Sequence, residues 1–159
     1  MSVLDQHVPF DPEAAARSEG IEILDWPGDI GYLGLYLREG GQGVIGLHPT
    51  LADPNWCRAR RVVICHELAH HRLHAGIHVP LLCRGDRLLT AHVEAQAERW
   101  AGTSLLSPTL ITALGVERQR LCQEEIGDLA EWARVPASWA AWWVRDLELR
   151  GMFKLPVFR

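Results

Sequence analysis

One short run of residues, His66-Glu67-Leu68-Ala69-His70, carries groups that could do chemistry together. On an α-helix, histidines at this spacing lie on one face about one turn apart, so both imidazoles can reach one Zn²⁺ ion with the glutamate beside it. Zinc lowers the pKa of a bound water towards ~7, and an adjacent carboxylate can take the water's proton and pass it to a leaving amine. The run therefore predicts peptide-bond hydrolysis, with His66 and His70 as metal ligands and Glu67 as general base.

The residues around this run predict the helix that must present it, over about residues 55–73. At 100° per residue an apolar side separates from a side that carries the histidines and Glu67. The apolar side is formed by Val62, Ile64, Cys65, Leu68, Ala69 and Leu73. Arg72 falls inside this apolar arc, where a charged side chain must either extend to solvent or find a partner.

Two more histidines follow closely and compete as ligands. His74 is eight residues from His66, an axial rise of ~12 Å, so His66, His70 and His74 cannot all bind one ion from an unbroken helix. The pair His70 and His74 has the same spacing, but His71 follows His70 where a carboxylate would be needed. We therefore expect His74 to be a residue behind the site or on the surface, and the spacing assigns His71 no role.

A catalytic zinc usually has three protein ligands, so a third must come from elsewhere in the chain. The segment 90–101 is rich in helix formers, and Thr90 is suited to be its N-cap. Glu94 shares a face with small and apolar residues, where a carboxylate would be desolvated unless a metal neutralised it. Glu98, one turn on, is the alternative ligand, and the third interpretation is an exposed pair of carboxylates.

Together these segments resemble the ImmA/IrrE metallopeptidases, a gluzincin-like family of bacteria, phages and mobile elements. The resemblance rests on Cys65-His66-Glu67-Leu68-Ala69-His70, on Glu94-x-x-Ala97-x-x-Trp100-Ala101, and on Leu105-Leu106-Ser107-Pro108, and it covers roughly residues 21–108. It implies that Glu94 completes a zinc site. It also implies a regulatory protease that cleaves one specific protein, such as a transcriptional repressor of a phage or mobile element.

This chain departs from the family pattern in two places. Trp100 stands where a smaller aromatic or aliphatic residue is common, and one extra residue separates Ala101 from the Leu-Leu-x-Pro end. The second departure concerns the end of the helix and leaves the ligand assignment unchanged.

Upstream of the zinc motif the chain predicts a short helix over 11–19 and then three strands, over 21–24, 32–37 and 43–47. Turn-forming stretches separate them, so they predict a small antiparallel sheet packed on the active-site helix. The fold class expected is α+β and zincin-like, with a helical C-terminal half. We further hypothesise that 43–47 is an edge strand to which an extended substrate adds, with an interior strand as the alternative.

Composition predicts one soluble domain. The chain has 159 residues, of which 48% are hydrophobic and 23% charged, enough for a single core. We expect one domain over 1–159, with a catalytic core over 1–108 and a helical subdomain over 109–159. The N-terminus has no signal-peptide pattern and no stretch is long enough for a membrane span, which favours the cytoplasm. Four irregularly spaced cysteines are typical of reduced core thiols, with Cys83 a minor candidate for contact with zinc.

The C-terminal half has the outline of a helix-turn-helix, but not the charge of a DNA reader. Over residues 109–159 seven basic residues balance seven acidic ones, and the second helix contains Trp139, Trp142 and Trp143 where basic and polar side chains would be needed. We expect no direct nucleic-acid binding and expect the tryptophans to be core residues, the alternative being an exposed partner-binding patch.

The function predicted is therefore that of a zinc-dependent endopeptidase. The second hypothesis is a metal-binding regulator or interaction protein that keeps the fold without turnover, and the third is a DNA-binding regulator. The pattern favours none of the conceivable residues that would stabilise the oxyanion, which are Tyr32, Tyr36, His48 and His78.

Overall fold

The computed structural model describes residues 3–26, 31–74, 87–118 and 121–152. The chain divides into two compact units. One unit is Asp11–Ala101, and the other comprises Met1–Phe10 and Gly102–Arg159. The boundary falls inside one helix, and the prediction of a single domain with a break at residue 108 stays a prediction.

The unit Asp11–Ala101 contains a three-stranded sheet of β1 (Glu22–Asp25), β2 (Gly34–Glu39) and β3 (Gln42–Leu47). β2 and β3 form a hairpin whose two-residue loop is Gly40-Gly41, with φ angles of 57° and 91°. Two consecutive positive φ angles are what a type I′ turn requires, and glycine adopts them without steric cost. The predicted turn is therefore confirmed, and the strands continue right up to it.

The order of the strands corrects two sequence-based expectations. β3 is the central strand, antiparallel to β2 but parallel to β1, so the sheet is mixed and not purely antiparallel. Because β3 is paired with β2 on one side and, over residues 44–47, with β1 on the other, the hypothesis that residues 43–47 form a free edge for substrate is wrong. Ile45 and Leu47 are fully buried, so the alternating apolar residues of β3 are explained by their packing in the core.

Two helices of this unit lie beside the sheet. α1 (Pro12–Ser18) is capped by Asp11, whose side chain accepts from the backbone N–H groups of Glu13 and Ala14. α2 (Cys57–Leu73) contains the His-Glu-x-x-His run and packs against α1, β2 and β3. Its buried apolar residues are Ile64, Cys65, Leu68 and Ala69, as the helical wheel predicted, whereas Leu73 is exposed.

The next helix, α3 (Arg87–Leu105), begins before the predicted N-cap, so Thr90 lies inside it and does not cap it. The wheel argument for its apolar face holds, since Val93, Ala97 and Ala101 are all buried. The helix ends at Leu105, and the next helix begins at Pro108.

The other unit is helical in its described part, with α4 (Pro108–Arg118), α5 (Gln123–Ala133) and α6 (Ala137–Leu149). Arg134 ends α5 in the left-handed conformation, with φ 56°, before α6 begins. The expectation for the tryptophans holds for Trp143, which is buried and donates its indole N–H to the Leu106 carbonyl at 2.9 Å. It is wrong for Trp142, which is 45% exposed, and Trp139 is half-buried.

The protein is thus an α+β protein, with a mixed three-stranded sheet and six α-helices in the part that the structure describes. Among these residues no helix has both the length and the apolar character that a membrane crossing needs.

Candidate metal centre

The residues predicted as ligands meet at one point between α2 and α3. His66 Nε2 lies 3.1 Å from His70 Nε2 and 3.1 Å from Glu94 Oε2, and His70 Nε2 lies 3.5 Å from Glu94 Oε1. The helical spacing of four residues brings the two imidazoles together, and α3 supplies the carboxylate. The structure therefore brings together all three of the residues predicted to bind metal.

These separations fit a metal ion. Zinc bonds of about 2.0–2.1 Å in a tetrahedral site place neighbouring ligand atoms about 3.3 Å apart, close to the three distances between these nitrogen and oxygen atoms. Among the described histidine, cysteine and acidic residues, His66, His70 and Glu94 form the one group arranged to hold an ion. Two imidazoles and a carboxylate can bind a metal, and three protein ligands leave a position for another group.

The charges of the group also favour a cation. Burial disfavours the charged form of His66, but hydrogen bonds to Glu94 and Glu98 and the charge of Glu67 outweigh this and raise the pKa of His66 to about 10. The hydrogen bond with His66, together with the proximity of His70, holds the pKa of Glu94 well below its usual range. A positive charge is therefore stabilised at the centre of the group, where a divalent ion would also be stabilised.

Glu94 is less desolvated than the sequence argument expected, because its side chain remains 42% exposed. It lies at the margin of the buried face of α3 and not within it. Its proximity to two imidazoles, and not full burial, is therefore what selects it as a ligand.

Glu67, the predicted base, is only 7% exposed, and its carboxylate accepts a hydrogen bond from the backbone N–H of Tyr36. Burial raises the pKa of Glu67, while the neighbouring His66 and His70 oppose that rise. Burial on this scale was not predicted, since the wheel assigns Glu67 to the polar side of α2. It arises because β2 covers this side of the helix.

Glu98, the alternative ligand, lies behind His66 and not at the centre. Its Oε2 is 3.4 Å from His66 Nδ1, the ring nitrogen that faces away from Glu94. Carboxylates in this position commonly orient a metal-binding histidine and increase its basicity. The two glutamates of α3 thus approach opposite nitrogens of one imidazole.

His71 and Arg72 turn away from the centre towards α1 and β2. The Tyr36 hydroxyl lies 2.6 Å from His71 Nδ1, and His71 Nε2 lies 3.6 Å from Glu19. Arg72 Nε donates to Glu19 at 3.0 Å, and its guanidinium lies 4.8 Å from the centre of the Trp100 ring. These contacts explain the charged residue in the apolar arc, since a tryptophan face attracts a guanidinium.

The residues considered for stabilising the oxyanion lie in different environments. The Tyr36 hydroxyl is directed to His71, and the His48 ring accepts from the Thr50 N–H in a short 3₁₀ turn. Tyr32 is 71% exposed. His78 lies outside the described residues, as does Cys83, so their predicted roles are not addressed by the structure.

Comparison of the chain with models of known protein families and with curated proteins finds no match.

Proposed function

We propose that this protein is a zinc-dependent endopeptidase of the ImmA/IrrE type. The observation that carries the proposal is the meeting of His66, His70 and Glu94 with the buried carboxyl of Glu67 beside them. Two histidines and one glutamate are a ligand set that catalytic zinc uses, with a further position left for water or substrate. Zinc bound there would act as a Lewis acid, polarising a carbonyl group and acidifying water.

Glu67 is suited to move the proton in this reaction. Its carboxyl accepts from the Tyr36 N–H, so one oxygen is oriented by β2 while the group remains next to the two histidines. Because burial raises its pKa, the carboxylate is a stronger base than an exposed glutamate, so it is better suited to take a proton from water and then give it to a leaving amine. In this proposal Glu67 is the general base and then the general acid.

The strand nearest Glu67 is β2, and only one of its two edges pairs with β3. His48 N–H donates to the Leu33 carbonyl at 2.9 Å, which makes Leu33 and His48 a hydrogen-bonded pair. Such pairs alternate along an antiparallel ladder, so the N–H groups of Gly34, Tyr36 and Arg38 are directed away from β3. Because the Tyr36 N–H already donates to Glu67, a substrate segment in extended conformation could pair with the other outward-facing groups of this edge.

The substrate class comes from the resemblance alone. The Cys65-to-His70 and Glu94-to-Ala101 motifs support an ImmA/IrrE peptidase that cleaves one regulatory protein, such as a repressor of a phage or mobile element. The competing function is a metal-binding regulator of the same fold that cleaves nothing.

The experiment that decides between them compares the zinc-loaded protein with its Glu67→Gln variant. The glutamine amide oxygen can still accept from the Tyr36 N–H, and all three metal ligands remain. Both proteins are incubated with the products of neighbouring genes and with a peptide library, and new termini are identified by mass spectrometry. We expect cleavage by the wild type and a loss of several orders of magnitude in the variant at unchanged zinc content. Equal biological activity of the two proteins, without cleavage by either, would establish the non-catalytic regulator.

A further inference from the structure

His74, which follows the last residue of α2, is buried and has both of its ring nitrogens in contact with another side chain. Only 6% of the residue is exposed. Its Nδ1 lies 3.3 Å from His70 Nδ1, and its Nε2 lies 2.9 Å from Gln96 Oε1 on α3. The backbone keeps the ring in place, because the His74 N–H donates to the His70 carbonyl at 3.0 Å. A connected row of side chains thus extends from Gln96 through His74 to the metal ligand His70.

The direction of hydrogen bonding in this row follows from its outer end. An amide oxygen only accepts, so His74 Nε2 must carry the hydrogen, and in the neutral imidazole His74 Nδ1 is then the acceptor. His70 Nδ1 must then donate to it, which leaves the lone pair of His70 Nε2 directed at His66 and Glu94. That is the tautomer in which His70 can bind a metal ion through Nε2.

We propose that His74 and Gln96 are positioning residues that lock His70 in its metal-binding tautomer and orientation. His74 is not itself a ligand, since its two nitrogens are engaged with His70 and Gln96. The inference rests on the proposed function only in so far as the site binds metal, and it does not depend on whether the protein cleaves peptides.

The opposite orientation of the Gln96 amide would impose the opposite tautomers on His74 and His70. If the Gln96 amide nitrogen faced His74, every donor in the row would be exchanged, and the hydrogen would lie on His70 Nε2 where a metal must bind. The acceptor at position 96 therefore matters, and not merely the presence of a side chain. Partners of this kind behind a metal ligand typically change metal affinity by about 10- to 100-fold.

The test measures zinc affinity by competition with a chromophoric chelator. Gln96→Leu removes the acceptor, and we expect the zinc dissociation constant to rise by about 10- to 100-fold. Gln96→Glu keeps an acceptor and should stay within about threefold of the wild type, whereas Gln96→Lys supplies only donors and should bind zinc more weakly than Gln96→Leu. His92→Phe, at an exposed position of the same helix, is the matched control and should leave the affinity unchanged.

His74→Phe keeps an aromatic ring but lacks both nitrogens, and it should weaken zinc binding as Gln96→Leu does. Circular dichroism and thermal unfolding without metal show whether this buried substitution is tolerated. If His74→Phe does not fold, the variants at the half-buried residue Gln96 still test the proposal.

A second readout detects the tautomers directly. In ¹⁵N NMR spectra of the zinc-loaded wild type we expect the ring hydrogen on Nδ1 of His70 and on Nε2 of His74. The opposite tautomer of His74, or a Gln96→Leu affinity within twofold of the wild type, overturns the proposal. Zinc binding without peptide cleavage would refute the peptidase and leave this inference standing, whereas a wild type that binds no zinc would refute both.

Discussion

Gly34 on β2 lies directly against Glu67 on α2, so close that no side chain fits between them. A Cβ atom at position 34 would lie 2.8 Å from Glu67 Oε1 and 2.5 Å from Val63 Cγ1. Gly34 has an ordinary φ angle, so the requirement for glycine is steric and does not come from the backbone conformation. The absence of a side chain here lets the strand approach the carboxyl group that we propose as the base.

We therefore expect Gly34→Ala to displace Glu67 or to push β2 away from α2. Overpacking of this kind typically costs about 1–3 kcal/mol of unfolding free energy, which denaturant titration measures. Cleavage should fall while zinc content is retained, because the atoms nearest to a Cβ at position 34 belong to Val63 and Glu67 and not to a metal ligand. Gly127→Ala is the matched control: its Cβ meets no atom within 4 Å, and alanine should stabilise the interior of α5 by about 0.5–1 kcal/mol. Unchanged cleavage by Gly34→Ala would show that the close approach does not position Glu67.

The positions of Glu94 and Glu98 predict different outcomes for the two alanine variants. Glu94 approaches the nitrogen of His66 that faces His70, whereas Glu98 approaches the opposite nitrogen. By elemental analysis Glu94→Ala, like His66→Ala and His70→Ala, should lose bound zinc. Glu98→Ala should still take up one equivalent at saturating zinc, with an affinity about 10- to 100-fold lower. Loss of zinc in Glu98→Ala together with retention in Glu94→Ala would move the ligand one turn along α3.

Local periodicity predicted the parts of this site that lie within one turn of helix. The spacing of His66 and His70 and the apolar residues around them were sufficient to place both imidazoles on one face of α2. The sheet order was not predictable in the same way, because nothing in residues 43–47 says which of two flanking strands pairs with them. β3 is central because β1 returns parallel to it, a long-range pairing that leaves no local signal.

Burial of polar groups was likewise hidden from the sequence. The helical wheel assigns Glu67 and His74 to the polar side of α2, yet both are buried, because the partners of Glu67 and His74 lie on β2 and α3. The role of Glu98 also depends on which imidazole nitrogen it reaches, a distinction that residue spacing cannot make. A signal was present at Arg72, since a charge inside an apolar arc indicates a partner, and the structure identifies Glu19 and Trp100.

The contacts of Arg72 predict a measurable contribution to stability. Its side chain is 35% exposed, so solvent weakens the ion pair with Glu19, but stacking on Trp100 adds to it. We expect Arg72→Ala to reduce the unfolding free energy by about 1–2 kcal/mol and Arg72→Lys to restore only part of it, since an ammonium group lacks the planar guanidinium. A double-mutant cycle with Trp100→Leu should give a coupling of about 0.5–1 kcal/mol. Arg17→Ala, which breaks an exposed pair with Glu13, is the control and should change stability by less than about 0.5 kcal/mol.

The raised pKa of His66 predicts that metal binding depends on pH. Without metal this pKa is about 10, so His66 carries an extra proton at neutral pH, whereas Glu94 is already ionised because its pKa is held low. A metal ion must displace the proton from His66, so binding at pH 7 should release about one proton per ion. Affinity should therefore rise about tenfold per pH unit between about pH 6 and 8. Calorimetry in buffers of different ionisation enthalpy measures the released proton, and a pH-independent affinity would contradict the prediction.

The raised pKa of His66 also makes the stability of the metal-free protein depend on pH. The folded pKa of His66 exceeds its ordinary value of 6.5, so the folded state holds this proton more tightly than the unfolded chain does. The resulting stabilisation is fully present below about pH 6.5 and is lost as the pH rises towards 10, because there the folded state binds more protons than the unfolded state. Denaturant titrations of the metal-free protein across this range should show a decline in unfolding free energy. His66→Gln, which cannot take up the proton, should show a weaker decline, and equal slopes for the two proteins would show that His66 does not hold the proton.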